Sequence, residues 1–174
     1  MRTITCVLLT GFLAFSTVIT NAQGKAKFAH INSNELLEIM PGKDSVEKRI
    51  TQHYKSLEKR LQEMKAEYDQ KLARYIEIKD ADTISSFVKQ SIEEELMTLQ
   101  TKITEYQTNA NKDLANKESE WMEPLISKAK NAIDEVAREK GYTYVFDTGT
   151  GVILYESDDS ENILPLVKQK LGIQ

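Results

Sequence analysis

Residues 50–75 read ITQHYKSLEKRLQEMKAEYDQKLARY, and this stretch decides the fold. Its apolar positions are Ile50, Tyr54, Leu57, Leu61, Met64, Tyr68, Leu72 and Tyr75, with gaps of 4, 3, 4, 3, 4, 4 and 3. That spacing marks one continuous helix stripe. The doubled gap of four is a stutter that locally relaxes a left-handed supercoil. The helical signal reaches well beyond the stripe: residues 43–123 contain no Gly and no Pro and are dense in helix formers. Asp80-Ala81-Asp82-Thr83 interrupts the pattern with cap-type residues. A second stripe then follows at Val88, Ile92, Leu96, Leu99, Ile103, Tyr106 and Ala110, continuing more weakly through Leu114, Trp121 and Leu125.

Two helices joined by a short polar turn fold back on each other. Pairing about that turn sets Tyr75 near Val88, Met64 near Leu99 and Leu57 near Tyr106, apolar at each level. The first helix, over 44–78, should run roughly 50 Å at 1.5 Å per residue. The second should continue past Pro124, which could kink it, to a stop at Gly141. The flanks read differently. Lys27-Phe28-Ala29-His30-Ile31-Asn32, Tyr142-Thr143-Tyr144-Val145-Phe146-Asp147 and Gly151-Val152-Ile153-Leu154-Tyr155 have strand character. A closing helix is expected over 161–171. The expected class is therefore α+β and predominantly helical: a long antiparallel two-helix arm (43–140) inserted in a small β-containing base (23–42 and 141–174).

Such a base buries little area and leaves strand edges open. Association through it is the simplest remedy, so an obligate homo-oligomer is expected, with several arms on one shared core. Phe28, Ile31, Tyr144, Phe146, Val152 and Leu154 are the candidates for that oligomeric base.

The first residues read as an address. Met1-Arg2 precedes an apolar run from Ile4 to Ile19, then Thr20-Asn21-Ala22. This is the pattern of a secretory signal peptide over 1–22; its apolar run is short for a membrane span, and a retained anchor is the competing reading. Cys6, the one cysteine among 174 residues, would leave with it. A cysteine-free secreted chain avoids accidental disulfides. A net charge of −4 argues against a nucleic-acid binder. One cysteine and two histidines, His30 and His53, leave little material for metal or general-base chemistry.

Asp147-Thr148-Gly149 after an apolar strand invites comparison with aspartic proteases, where two such triplets pair their carboxylates. Too little chain follows for a substrate-clasping domain. The plainer reading is a tight hairpin in which Gly149 and Gly151 supply positive φ and Asp147 bonds its own turn. His30 and His53 lack a partner at ligand spacing, so sheet and helix-surface roles are expected. Glu93-Glu94-Glu95 points three ways around a helix and reads as a solvated face. Asp158-Asp159-Ser160-Glu161 reads as the cap of the last helix, with Pro165 in its first turn. The tyrosines Tyr54, Tyr68, Tyr75 and Tyr106 fall mostly on the arm seam. Ile76, Ile78, Phe87 and Met97 fall near the tip or off the seam. They are the candidates for apolar contacts with a client.

Several segments together resemble the OmpH/Skp family of periplasmic chaperones. Phe28-Ala29-His30-Ile31-Asn32-Ser33, with Glu35-Leu36-Leu37 and Met40-Pro41, is similar to the family's opening strand and short helix. Pro124-Leu125-Ile126-Ser127-Lys128-Ala129, with Ala132-Ile133 and Val136-Ala137, is similar to its returning helix. The strand pair after Gly141 and the ending Leu166-Val167-Lys168-Gln169-Lys170-Leu171-Gly172-Ile173 resemble it most specifically. The resemblance implies a homotrimer with a β-body and three arms around a cavity. It implies an ATP-independent holdase for unfolded outer-membrane proteins in the periplasm, with no cofactor. In keeping with this, no Gly-rich loop precedes a Lys. Well-known members are strongly basic, whereas this chain has a sequence pI near 5.4. Peripheral contact with membrane lipid stays open, opposed by that acidic balance, and no lipopolysaccharide site is assigned. The alternative is a structural coiled-coil spacer or adaptor binding one folded periplasmic partner, which the polar stretch 107–120 would suit.

Overall fold

The computed structural model describes residues 26–81 and 83–173. The leader expectation for 1–22 and the cap residue Asp82 lie outside the described residues. The elements run β1 (Phe28–Ile31), α1 (Ser33–Glu38), α2 (Lys43–Ile78), α3 (Ser86–Lys140), β2 (Tyr144–Asp147) and α4 (Leu164–Leu171). The fold is predominantly helical, with a long antiparallel α2–α3 arm rising from a small base. α2 has 36 residues and α3 has 55, about 54 Å and about 83 Å of helix.

Local chemistry sets the helix ends. Asn32 caps α1, its side-chain oxygen accepting from the Asn34 and Glu35 amides at 3.1 Å each. Ser85 caps α3 through the Val88 amide. α3 runs unbroken through Pro124 and ends at Gly141, which takes φ +69°. There the Tyr142 amide reaches the Ala137 carbonyl and the Gly141 amide the Arg138 carbonyl, a Schellman closure. Gly was needed because an L side chain resists that left-handed turn.

Inside the arm the seam is thin. Leu96 and Ile103 of α3 are buried, while α2 contributes no buried residue among those described. Leu57, Leu61, Met64, Tyr68, Leu72 and Tyr75 are half-buried along the expected stripe, whereas Tyr54 is exposed. The Tyr106 hydroxyl donates to the Leu57 carbonyl at 3.3 Å, the level the stripe pairing gives. Toward the turn the pairing differs. The Tyr75 hydroxyl reaches Glu93, Lys71 pairs with Glu95, and Val88 is exposed. The last level before the turn is thus opened to solvent and tied by polar side chains.

The base differs from the expected arrangement. β1 and β2 pair in parallel, Phe28 opposite Tyr144 through Ile31 opposite Asp147. Parallel strands need a long crossover, and here the whole arm is that crossover. On the other side of β1, residues 161–163 run alongside it. The His30 amide donates to the Glu161 carbonyl (2.9 Å) and the Ile163 amide to the His30 carbonyl (3.0 Å). The hairpin is corrected: Gly151-Val152-Ile153-Leu154-Tyr155 forms no strand, and of its two glycines only Gly151 takes a positive φ. The last helix begins at Leu164 rather than 161, because residues 161–163 are spent on β1. Its first amide is met by Asn162 (2.9 Å), so the acidic run does not cap it. Pro165 does fall in its first turn.

The core sits between the sheet's inner face and one stripe of α3. Ala29 and Ile31 pack there with Leu36, Met40, Leu125, Ala129, Ala132, Val136, Ile163, Leu164 and Val167. The α3 members recur at gaps of 4, 3 and 4, the heptad pattern that keeps one face on its partner. Lys170 of α4 pairs with Glu135 (2.9 Å) and Glu139 (2.7 Å) of α3 at the rim. These carboxylates, Glu139 first, push the Lys170 ammonium up to about 12.

Candidate interaction surfaces

Strand alternation divides the sheet in two. Ala29 and Ile31 face the core, and Phe28, Tyr144 and Phe146 face outward. Those three rings form one cluster, with centroids 6.0–6.2 Å apart. All three are exposed in the single chain. Val152, Leu154 and Tyr155 are also exposed, Leu154 at 96%, and Ile153 and Tyr155 line one cavity with Phe28 and Phe146. A run this apolar left without partners is an unusual surface for a lone soluble chain. Of the candidates for an oligomeric base, Phe28, Tyr144 and Phe146 therefore share one open surface, and Val152 and Leu154 are exposed as well. Ile31 is instead inside the chain's own core, because its strand parity points it inward.

At the far end of the arm, Phe87 (79% exposed) and Met97 (71%) stand clear of the seam, with Ile76 also exposed. Ile78 is half-buried at the last turn of α2. The tip candidates are thus three open side chains and one partly covered.

The Asp147 triplet is a structural turn. Asp147 accepts from the Ser33 hydroxyl (2.6 Å), the Ser33 amide (3.1 Å) and the Gly149 amide (2.9 Å). Burial pushes its carboxyl up, but the Ser33 and Gly149 donors outweigh this and hold it below the ordinary value. Gly149 has no room for a side chain: a Cβ would lie 2.5 Å from the Asn32 cap oxygen. The triplet thus clamps the end of β2 onto the start of α1.

His30 is buried on the sheet, its Nδ1 2.7 Å from Ser160 Oγ and its Nε2 3.5 Å from Glu156. His53 is half-buried on the arm, bonded to Asp113 and edge-on to Trp121. The three consecutive glutamates diverge, Glu93 to Tyr75, Glu94 to Gln90 and Glu95 to Lys71. Among the described residues no cluster of His, Cys, Asp or Glu has the shape of a metal site, and no helix is long and apolar enough to cross a membrane. Sequence reasoning missed the partners Asp113, Trp121, Glu156 and Ser160. Trp121, the one tryptophan, standing among polar residues was the available signal for the arm cluster.

This architecture has known counterparts. The family model for outer membrane protein (OmpH-like) matches residues 27–171. The chain belongs to that family. It is 26% identical over 148 residues to the chaperone protein Skp of Photorhabdus laumondii, covering 84% of this chain and 87% of that one. Against the chaperone protein Skp of Salmonella typhimurium the identity is 23% over 146 residues, covering 84% and 86%. A crystal structure of an OmpH-like protein from Caulobacter crescentus superposes with a TM-score of 0.59 at 16% identity, covering 84% of this chain and 83% of that one.

Proposed function

We propose that this protein is an ATP-independent holdase chaperone of the periplasm, assembled as a homotrimer through the outer sheet face. It would hold unfolded outer-membrane β-barrel proteins between its arms and keep them from aggregating. The observation that carries the reading is the family match across residues 27–171, whose relatives are named as chaperones. Two features support it. The outer aromatic face and the apolar run 152–155 are open in one chain, as a surface awaiting other copies would be. The arm is long, thin and weakly seamed, with exposed apolar side chains toward its far end. Weak contacts from several arms sum by avidity, which suits clients without a fixed shape. Release then follows partition to a better sink rather than nucleotide hydrolysis.

The test is light scattering of an outer-membrane β-barrel diluted from urea. Suppression of aggregation at stoichiometric amounts, without ATP, is the expected result. Equal scattering with and without this protein would reject the holdase. Capture of one folded partner in its place would favour the spacer reading.

A further inference from the structure

The lower part of the arm holds a polar cluster that neither the core nor the proposed client surface uses. Arg49 and His53 stand four residues apart on α2 and share a face. Both meet Trp121 of α3. The Arg49 guanidinium lies 4.4 Å over the indole centroid, and the His53 ring meets it edge-on at 5.7 Å with 77° between planes. His53 Nε2 lies 2.6 Å from Asp113 Oδ2. Because α2 has no buried residue among those described, it stays on α3 through a half-buried seam and such cross-arm ties. Of these ties, His53–Asp113 is the one whose charge ordinarily changes between pH 5 and 8.

We propose that His53, Asp113 and Trp121 form a protonation-controlled clamp that grips α2 against α3 more tightly when the imidazole is charged than when it is neutral. A neutral imidazole carrying its proton on Nε2 still donates to Asp113. Protonation adds a full charge to that bond and a cationic edge against the indole. The charged groups around His53 come from both helices. Arg49 on α2 shares the indole and opposes a second cation. On α3, Lys117 draws on Asp113 but is itself held by Glu120 at 2.6 Å. Asp113, in direct contact, is the anion that the imidazolium grips. The clamp concerns the arm's own grip and does not depend on what the arm binds.

Trp121 reports on the cluster directly. Its emission is followed from pH 5 to 8.5 in the purified protein, in His53→Gln and in Asp113→Asn. The expected result is one transition in the parent protein, as the imidazolium quenches the indole, and none in His53→Gln. In Asp113→Asn the dependence of arm protection on pH is lost, since the anion that the imidazolium grips is gone. Hydrogen exchange of α2 amides around His53, corrected for intrinsic rates, should slow about fivefold from pH 8 to pH 6 in the parent only, the scale of a partly exposed ion pair. An unchanged transition in His53→Gln, pH-dependent protection that persists in Asp113→Asn, or pH-independent protection in the parent would overturn the clamp.

Discussion

Replacing Phe146 by Asp should dissolve the assembly and leave the single chain folded. In the lone chain Phe28, Tyr144 and Phe146 keep 52%, 61% and 43% of their surface open. An aromatic side chain carries roughly 200 Å², so covering all three would remove about 300 Å² from water per chain. At about 25 cal/mol per Å² that contributes about 8 kcal/mol per chain, an upper figure before association costs. Phe146 alone accounts for about 90 Å² and about 2 kcal/mol per copy. In a trimer the loss is taken three times, about 6 kcal/mol, or roughly four powers of ten in the assembly constant. An unpaired carboxylate forced into the contact adds to this. The inner face and α3 do not touch this ring cluster, so helical circular dichroism should not change. Sedimentation velocity at micromolar concentration should then find a trimer for the parent and a folded monomer for Phe146→Asp. A variant that sediments as the parent would refute the assignment of this face to assembly.

Leu36 is fully buried in the base, so Leu36→Ala should cost about 2–5 kcal/mol in chemical denaturation. Phe87→Ser with Met97→Ser should leave the oligomer and helix content intact and weaken protection of a diluted β-barrel protein several-fold by light scattering; undiminished protection would remove the tip from the client surface. For Lys170 the sign is fixed by its raised value. The tie to Glu139 and Glu135 is fully present below the ordinary lysine range and lost as pH rises through about 12. Lys170→Gln should therefore be less stable than the parent at neutral pH, and the gap should close in that alkaline window. Asp147 runs the other way, since its lowered value means that its contribution is present above the ordinary aspartate range and lost as pH falls through the lowered one. Asp147→Ala should flatten the acid limb of the unfolding profile, and neither form should hydrolyse casein.

The arm was legible in the sequence because a helix stripe is a local pattern. The positions from Leu57 to Tyr75 that repeat every three or four residues are the ones half-buried, and Gly141 ends α3 as its missing side chain allows. The base was less legible because its pairing is non-local. Residues 151–155 have every intrinsic mark of a strand, yet a strand exists only with a partner, and one chain offers them none. The run 158–161 resembles a helix cap, but the chain spends residues 161–163 on hydrogen bonds to β1, which composition does not reveal. Ile31 and Phe28 look alike as apolar strand residues. Only the parity of β1 against the core sends Ile31 inward and leaves Phe28 outside. The His53 cluster joins residues 60 or more positions apart in sequence across the arm and could not be read from either helix alone.

The most direct test of the chaperone reading is native mass spectrometry of residues 23–174, alone and mixed with a urea-unfolded outer-membrane β-barrel. Three copies, with a second species of three copies plus one client, is the result expected. A stable monomer, or an oligomer that stays free of client at every ratio, would contradict it.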